Sequence, residues 1–287
     1  MNIDGDVLTS VDCDYITARG LESDRLGELH PWASGLFRTE SDFGNKSHPW
    51  GMAGFKGWKC GEVEIGVREK DCLVRLHSSA AARNWRRLVQ LSGVVTRIDL
   101  QATVKVTGST TERIEYHRKE ALAHSHKMGG QQIVRRIDDN RGGYTLYLGA
   151  RESNVFGRIY DKGAQDSSPH YKQCVRFEVQ FNKRLAQHIA YALEKHSSPK
   201  PAMSGYLRTF LESRGVTPPG FGAAQLTYCS PRKRSDADRK LVWLYEAVRP
   251  SVLALIALGR GTEVLTALGL VDENESSLVH LDHDTTN

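Results

Sequence analysis

The sequence lacks any apolar run long enough to cross a bilayer, and it lacks the glycine-rich loops by which P-loop and Rossmann proteins bind nucleotide phosphates. The first absence argues against a membrane protein, and the second disfavours a nucleotide-driven enzyme. Residues 1–6 have neither the basic residues nor the apolar stretch of a signal peptide. We therefore expect a cytoplasmic protein without a membrane partner.

Cysteine is scarce and occurs without any pattern of pairing. The five cysteines are odd in number, widely spaced and never form a CxxC pair. This spacing argues against a disulfide framework and against a zinc knuckle. We expect the cysteines to be reduced residues that pack in the interior.

Acidic residues are outnumbered over most of the chain. The formal net charge is +5, from 39 basic and 34 acidic residues. Five of the acidic residues and none of the basic ones lie from Asp272 onward, so the rest of the chain carries an excess of ten positive charges. A basic body suits a polyanionic partner such as nucleic acid, although the same excess also occurs on solvated surfaces.

Alternation of apolar and polar residues dominates the first two thirds of the chain. It predicts strands over residues 8–19, 62–67, 72–76, 96–106, 144–148, 157–162 and 175–181. Helical spacing predicts helices over 80–91 and 110–127, and several more after Lys183. Residues 20–57 contain two Pro-Trp turns and predict an irregular loop with at most one short helix. The predicted fold class is α+β, a mostly antiparallel sheet with flanking helices and a C-terminal helical region.

Three of the predicted strands each present an arginine and a second reactive side chain on one face. The two-residue period of a strand places these side chains together and leaves the other face apolar. They are Arg97 with Asp99, Arg158 with Tyr160 and Lys162, and Arg176 with Glu178. The repeated arrangement is typical of an active site rather than of a plain globular surface.

The two carboxylates allow two interpretations. Asp99 and Glu178 occupy equivalent positions of two strands, and carboxylates on adjacent strands repel each other unless positive charge lies between them. A Mg²⁺ or Mn²⁺ ion suits oxygen ligands of this type. Alternatively, Arg97 and Arg176 pair with the carboxylates in an exposed cross-strand ladder, which contributes only ~0.2–1 kcal/mol.

Tyr160 becomes a candidate nucleophile through its neighbours. A tyrosine in a strand usually packs its ring, and a phenol with a pKa of ~10 needs positive charge or a metal nearby to react at neutral pH. Arg158 and Lys162 lie on the same predicted face. They are able to supply that charge or to hold the phosphate that the phenol attacks.

Four segments together resemble a known family. They are residues 96–100 (TRIDL), 145–153 (TLYLGARES), 158–163 (RIYDKG) and 176–178 (RFE). In their order and approximate spacing they resemble the replication initiation factor family, which comprises rolling-circle plasmid initiators, related phage replication proteins and relaxases of integrative elements. The resemblance covers roughly residues 8–260. It implies a sheet-based domain with a palm like that of relaxases and replication initiators.

The resemblance implies a metal-dependent enzyme that nicks DNA and transfers the strand. A tyrosine attacks one phosphodiester, forms a 5′-phosphotyrosine bond and leaves a 3′-hydroxyl as primer. Carried over by motif, Tyr160 is the nucleophile with Arg158 and Lys162 beside it, and Asp99 and Glu178 hold Mg²⁺ or Mn²⁺.

One position departs from the family pattern. Many members have a second Asp four residues after the Asp of the Arg-Ile-Asp motif, where this chain has Thr103. If that Asp is a metal ligand elsewhere, the chain must use another group, and Glu64 or Glu62 are the candidates. The resemblance also implies that the phosphate is held by Arg158, Lys162, Arg97 and Arg176.

The leading hypothesis is a rolling-circle replication initiator that binds an origin hairpin, as a homodimer and with a host helicase as a further partner. We expect residues 1–200 to form the catalytic nicking domain, 201–271 a helical region and 272–287 a disordered acidic tail. Further predicted DNA contacts are Arg151, Arg83, Arg86, Arg87, Arg232, Lys233 and Arg234. The alternatives are a relaxase of an integrative or conjugative element, and a non-catalytic DNA-binding regulator on the same fold, for which Thr103 is the best sign.

Overall fold

The computed structural model describes residues 5–21, 26–42, 44–52, 54–69, 71–127, 134–138, 144–221 and 248–267. Internal contacts divide the chain into one unit up to Tyr228 and a second unit from Cys229 onward. The predicted domain boundary at residue 200 falls inside helix Pro199–Glu212, which packs against the sheet of the first unit. The predicted tail 272–287 lies outside the described residues.

Ten strands of the first unit form one antiparallel sheet. They are β1 (Val7–Leu21), β2 (Ser47–Met52), β3 (Phe55–Cys60), β4 (Val63–Arg68), β5 (Asp71–His77), β6 (Val94–Lys105), β7 (Val134–Asp138), β8 (Tyr144–Leu148), β9 (Val155–Asp161) and β10 (Cys174–Asn182). Their order across the sheet is β2-β3-β4-β5-β1-β6-β10-β9-β8-β7. The strands that carry the three motifs, β6, β10 and β9, are therefore direct neighbours.

Among the described residues of the first unit, the α-helices are α1 (Leu26–Asp42), α2 (Ser78–Leu91), α3 (Thr110–Lys127), α4 (Lys162–Gln165), α5 (Lys183–Glu194) and α6 (Pro199–Glu212). Apolar side chains of α2, α5 and α6 join those of the central strands in one core. In the second unit, residues Arg249–Ala257 form α7 and Gly261–Ala267 form α8. The predicted α+β class, with a largely antiparallel sheet and flanking helices, is confirmed.

The sheet has one apolar face and one polar face. Along β6 the side chains of Ile98 and Leu100 are completely buried in the core. Helix α6 packs on this apolar face so closely that a Cβ atom at Gly157 of β9 would come within 2.4 Å of the Phe210 ring. Alternation then directs the intervening side chains of β6, β9 and β10 to the opposite, polar face.

The prediction of an irregular loop over residues 20–57 is wrong, because this segment contains α1, β2 and the first residues of β3. Pro31 lies inside α1, where a proline costs about 3 kcal/mol, but the helix buries Leu29 and Ala33 completely and packing offsets that cost. Pro49 lies in β2, which is one of the two edge strands of the described sheet. A proline is tolerated there because one row of N–H groups needs no partner strand.

Helix α2 begins at Ser78, close to the predicted start, but its cap comes from the turn between β3 and β4. His77 is the N-cap residue and makes no side-chain capping bond. Instead, Oε2 of Glu62 accepts hydrogen bonds from the Ala80 backbone N–H at 2.8 Å and from the Ser79 hydroxyl at 2.6 Å. A carboxylate is favourable at a helix N-terminus, so Glu62 is occupied in a structural role.

The four described cysteines are buried and form no disulfide; they are Cys13, Cys60, Cys72 and Cys174. Burial raises the pKa of the Cys72 thiol to about 11. Their predicted role as packing residues is confirmed, and Cys229 lies outside the described residues. Among the helices that the structure describes, none is both long and apolar enough to cross a membrane.

Candidate active site

The motif side chains converge on the polar face because of the register of three strands. Asp99 of β6 pairs with Gln180 of β10, and Glu178 of β10 pairs with Arg158 of β9. Tyr160 follows two residues after Arg158, so it shares the same face. Sequence alternation predicted these faces, whereas the strand order that makes them neighbours comes from the structure.

Tyr160 and Glu178 form the centre of the site. The Tyr160 hydroxyl donates a hydrogen bond to Oε2 of Glu178 at 3.2 Å, and the Arg158 guanidinium pairs with Oε1. Both residues are buried, with 7% of Tyr160 and 1% of Glu178 exposed. Burial and the Glu178 charge raise the pKa of the Tyr160 phenol, against the opposing effect of Arg176. The phenol is therefore neutral at pH 7, and Glu178 is placed to accept its proton.

Asp99 is buried beside this pair and is bound by Arg97. The Arg97 Nε donates to Oδ1 of Asp99 at 2.8 Å, and a second guanidinium N–H donates to Oδ2. Burial raises the pKa of Asp99, Arg97 opposes the rise, and the charge of Glu178 adds to it. The Arg97 guanidinium also lies 4.1 Å from the ring centroid of Tyr15 on β1.

A third carboxylate, Asp14, reaches the site from β1. The register of β1 with β6 shifts between Cys13 and Tyr15, so Asp14 is the extra residue of a β-bulge. Its Oδ1 lies 3.8 Å from a guanidinium nitrogen of Arg176. Burial and the charge of Glu178 raise the pKa of Asp14. We call Asp14, Asp99 and Glu178 the acidic cluster.

Arg176 and Lys162 lie at the edge of the acidic cluster. The Arg176 Nε donates to the hydroxyl of Thr103 at 3.2 Å, and its guanidinium lies 5.4 Å from the Tyr171 ring centroid. Lys162 is 3.5 Å from Asp166 and lies over the same Tyr171 ring. Burial and Arg176 lower the pKa of Lys162. The site thus combines three carboxylates with several cations on one face of the sheet.

The acidic cluster supplies the donor atoms that a Mg²⁺ or Mn²⁺ ion prefers. The charge of Glu178 raises the pKa of Asp14 and of Asp99, and a bound cation would relieve that repulsion. Among the described residues, however, no three potential ligands already meet as a preformed metal site. Arg97 and Arg158 now pair with the carboxylates of Asp99 and Glu178. Their side chains, which are 33% and 35% exposed, would have to turn away before a metal ion could bind these oxygens.

The structure does not bring Glu64 to the acidic cluster. Glu64 lies on β4, three strand positions from β6, which corresponds to about 14 Å across a sheet. Its carboxylate accepts from Lys59 at 3.0 Å and from Arg75 at 3.1 Å, and it lies 3.1 Å from a ring nitrogen of His77. Burial opposes the charge, but these hydrogen bonds outweigh it and lower the pKa of Glu64 to about 2.

Glu64→Gln is expected to lower the free energy of unfolding by about 1.5–3 kcal/mol at pH 7, because it removes charge-assisted hydrogen bonds. The folded pKa lies below the unfolded one, so this stabilisation is present above pH ~4.5 and is lost as the pH falls towards 2. Urea unfolding should therefore show a difference from wild type that narrows with acid. Glu112→Gln on the exposed side of α3 is the control, with an effect within about 0.5 kcal/mol. A Glu64→Gln difference that does not change with pH would contradict this role.

The predicted DNA contacts on α2 lie away from the site. Helix α2 packs its buried residues into the core on the apolar face, opposite Tyr160. Arg86 donates to the His196 carbonyl and Arg87 is 3.5 Å from Glu28, whereas Arg83 is exposed. The predicted contacts Arg232, Lys233 and Arg234 lie outside the described residues.

Arg151 does lie near the site. Its guanidinium is 5.5 Å from the ring centroid of Tyr147, and Tyr147 pairs in register with Arg158. Of the residues that the sequence singled out, the structure brings together Asp99, Glu178, Tyr160, Arg158, Arg97, Arg176 and Lys162. Asp14 was missed, because a bulge interrupts the alternation of β1 and directs Asp14 to this face.

A family model described as "Replication initiation factor" matches residues 93–215, which include Asp99, Tyr160 and Glu178. This segment is similar to the replication initiation factor family. The resemblance inferred from the motifs is thereby confirmed. Asp14 and Glu64 precede the part of the chain that matches the replication initiation factor family.

Among solved structures, the chain is similar to a rolling circle replication initiator protein from Geobacillus stearothermophilus. The identity is 16% and the TM-score is 0.47, over 69% of this chain and 85% of that one. No curated protein matches the chain.

Proposed function

We propose that this protein initiates rolling-circle replication by nicking one DNA strand at an origin and transferring it to Tyr160, with Mg²⁺ or Mn²⁺ as cofactor. The observation that carries the proposal is the hydrogen bond from the buried Tyr160 phenol to Glu178, with Arg158 and Arg176 beside it. A nucleophile joined to a proton acceptor, beside cations suited to a phosphate, is the arrangement that phosphodiester attack requires. Similarity to the replication initiation factor family supplies the biological setting.

The proposed step transfers a phosphoryl group to the tyrosine. The Tyr160 oxygen forms a bond to the scissile phosphorus while its proton passes to Oε2 of Glu178. The bond from phosphorus to the 3′ oxygen breaks, and that oxygen leaves with the electron pair and takes a proton from water. The products are a 5′-phosphotyrosine on Tyr160 and a free 3′-hydroxyl, so the number of phosphoester bonds is conserved.

The arginines have two tasks in this proposal. In the free protein Arg158 and Arg97 pair with Glu178 and Asp99, which offsets the cost of burying these carboxylates. When DNA binds, their guanidinium groups turn to the phosphate, whose geometry suits bidentate hydrogen bonds. Negative charge that develops on the phosphoryl oxygens is thus met by groups already held at the site.

The exchange of partners leaves the acidic cluster available to a cation. Asp99, Glu178 and Asp14 would then hold Mg²⁺ or Mn²⁺, which offsets phosphoryl charge when bound. Asp14 is our candidate for the third carboxylate in place of Glu64 or Glu62. Arg176 contacts both Asp14 and Thr103, so Asp14 lies near Thr103. Thr103 is the position where many family members have Asp.

The test is incubation of the protein with supercoiled DNA that bears its own origin, in Mg²⁺, in Mn²⁺ and in EDTA. We expect open circles and a covalent protein–DNA adduct with either metal and neither product in EDTA. The adduct should run as a shifted band after denaturation and disappear on nuclease digestion. Gel filtration with and without an origin hairpin tests the proposed homodimer separately.

One observation favours a second candidate, a DNA-binding regulator that does not cut. The carboxylate oxygens of Asp99 and Glu178 are all engaged, and no three ligands meet among the described residues. Tight binding of origin DNA without open circles in Mg²⁺ or Mn²⁺ would establish this function. A relaxase of an integrative element would instead cut a transfer origin by the same chemistry.

A further inference from the structure

A pocket of about 400 Å³ lies beside the candidate active site, between β7, β8 and the loop that follows β8. It is lined by Arg135, Ile137, Tyr147, Gly149, Ala150, Arg151, Glu152 and Phe156. This volume is within the range of sites that hold a small ligand or one part of a larger one. None of its residues takes part in the proposed phosphoryl transfer.

The pocket has an aromatic wall and cationic sides. The rings of Tyr147 and Phe156 stack with their centroids 5.4 Å apart and their planes 20° from parallel. Phe156 is buried, whereas Tyr147 is half-buried and presents part of its ring. Arg135 and Arg151 are both exposed, and Arg151 lies over the Tyr147 ring. The aromatic rings are suited to stack on a flat ring of a ligand, and the two arginines are suited to bind a negatively charged group attached to that ring.

The register of β8 and β9 places this wall next to the proposed nucleophile. Tyr147 pairs with Arg158, and Thr145 pairs with Tyr160, so Tyr147 lies one strand across and two residues along from Tyr160. Strand geometry makes that separation about 8 Å between Cα atoms. Directly paired residues of neighbouring strands share a face, so Tyr147 lies on the face of Arg158. Tyr160 is two residues from Arg158 along β9, so Tyr160 lies on that face as well.

We propose that this pocket binds one unstacked base of single-stranded DNA, the base of a nucleotide next to the phosphate that Tyr160 attacks. The base stacks on Tyr147, and Arg151, which is exposed, stacks on the base or pairs with its phosphate. Glu152 at the rim accepts a hydrogen bond from an exocyclic amino group. This proposal rests on the proposed function and gives it a site that reads DNA sequence at the nick.

The test measures base-dependent affinity without metal, so that no cutting occurs. Fluorescence anisotropy compares a labelled single-stranded oligonucleotide of mixed sequence with an abasic oligonucleotide of the same length and charge. Tyr147→Ala is expected to weaken binding of the base-bearing strand by roughly 5- to 150-fold and to leave binding of the abasic strand unchanged. Tyr147→Phe should keep the wild-type preference, because it keeps the ring.

Tyr144→Ala is the matched control, since Tyr144 is an aromatic of the same strand whose side chain packs with α3 residues on the other face. It should leave the preference for base-bearing DNA intact. A strand with 2-aminopurine beside the nick position should lose fluorescence on wild type and on Tyr147→Phe, but not on a folded Tyr147→Ala protein. If Tyr147→Ala does not fold, Arg151→Ala on the exposed loop should reduce the same quenching.

The pocket proposal would be overturned if Tyr147→Ala weakened binding of the base-bearing and the abasic oligonucleotide equally, or weakened binding of neither. It would also be overturned if the wild-type protein did not quench 2-aminopurine fluorescence. These measurements are independent of the nicking assay. If the protein prefers base-bearing oligonucleotides but never cuts, only the proposed function is refuted. If it cuts but shows no preference for base-bearing oligonucleotides that depends on Tyr147, only the pocket proposal is refuted.

Discussion

Replacing Tyr160 with phenylalanine is expected to abolish the covalent adduct and to lower the nicking rate by at least roughly 10³-fold. The phenol oxygen is the only atom lost, and the ring continues to fill its buried place. Because the arginines around Glu178 are unchanged, affinity for origin DNA should stay near that of wild type. Open-circle formation and adduct bands on denaturing gels measure the first effect, and anisotropy measures the second.

The control for this substitution is Tyr191→Phe. Tyr191 lies on α5, and its hydroxyl is 3.2 Å from the Gly93 carbonyl, far from the polar face. Removing that hydroxyl should leave nicking unchanged. An adduct that persists in Tyr160→Phe would end the assignment of Tyr160 as nucleophile, whatever the rate.

The second large effect is expected from Glu178→Gln. Glutamine keeps the shape and one hydrogen bond to Tyr160 but is unable to take the phenol proton. Because the pKa of the phenol is raised, the loss of a positioned base should slow nicking by about 10²–10⁴-fold. Single-turnover nicking at saturating protein measures this rate without a contribution from binding.

Comparison with Asp99→Asn separates two roles of Glu178. If Asp99 acts mainly on the metal, its amide variant should need a higher concentration of Mn²⁺ for half-maximal nicking and should recover much of its rate when Mn²⁺ is saturating. Glu178→Gln should remain slow at every Mn²⁺ concentration. Full recovery of Glu178→Gln at high Mn²⁺ would leave Glu178 with its role as a metal ligand alone, and the proton acceptor would be unidentified.

Alternation predicted the central strands well because their two faces differ so strongly. The side chains of Ile98, Leu100 and Val179 are completely buried, and polar residues alternate with them. Such a pattern permits only one choice of face. Since Asp99, Glu178 and Tyr160 are set by these faces, their convergence on one face was predictable once their strands were known to be neighbours.

Two other parts of the molecule were not predictable by the same reasoning. Helix α1 contains Pro31 and a tryptophan next to it, so local preference pointed to a turn, and only burial of Leu29 and Ala33 explains the helix. Asp14 faces the site because of a β-bulge, and a bulge breaks the alternation on which strand prediction depends.

Glu62 and Glu64 show why residue type alone did not identify a third carboxylate. Both are acidic and both precede the motif strands, which made them candidates. In the fold Glu62 caps α2, and Glu64 is bound by Lys59, Arg75 and His77 three strand positions from β6. Their positions depend on strand order, which the pattern of a single strand does not contain.

The most direct test of the central claim is to locate the covalent bond. The adduct formed on origin DNA in Mn²⁺ is digested with nuclease and trypsin, and the peptides are sequenced by mass spectrometry. We predict that the peptide 159–162, released by cleavage after Arg158 and Lys162, carries the nucleotide remnant on Tyr160. A remnant on any other residue, or the absence of one from a protein that has produced open circles, would contradict the account.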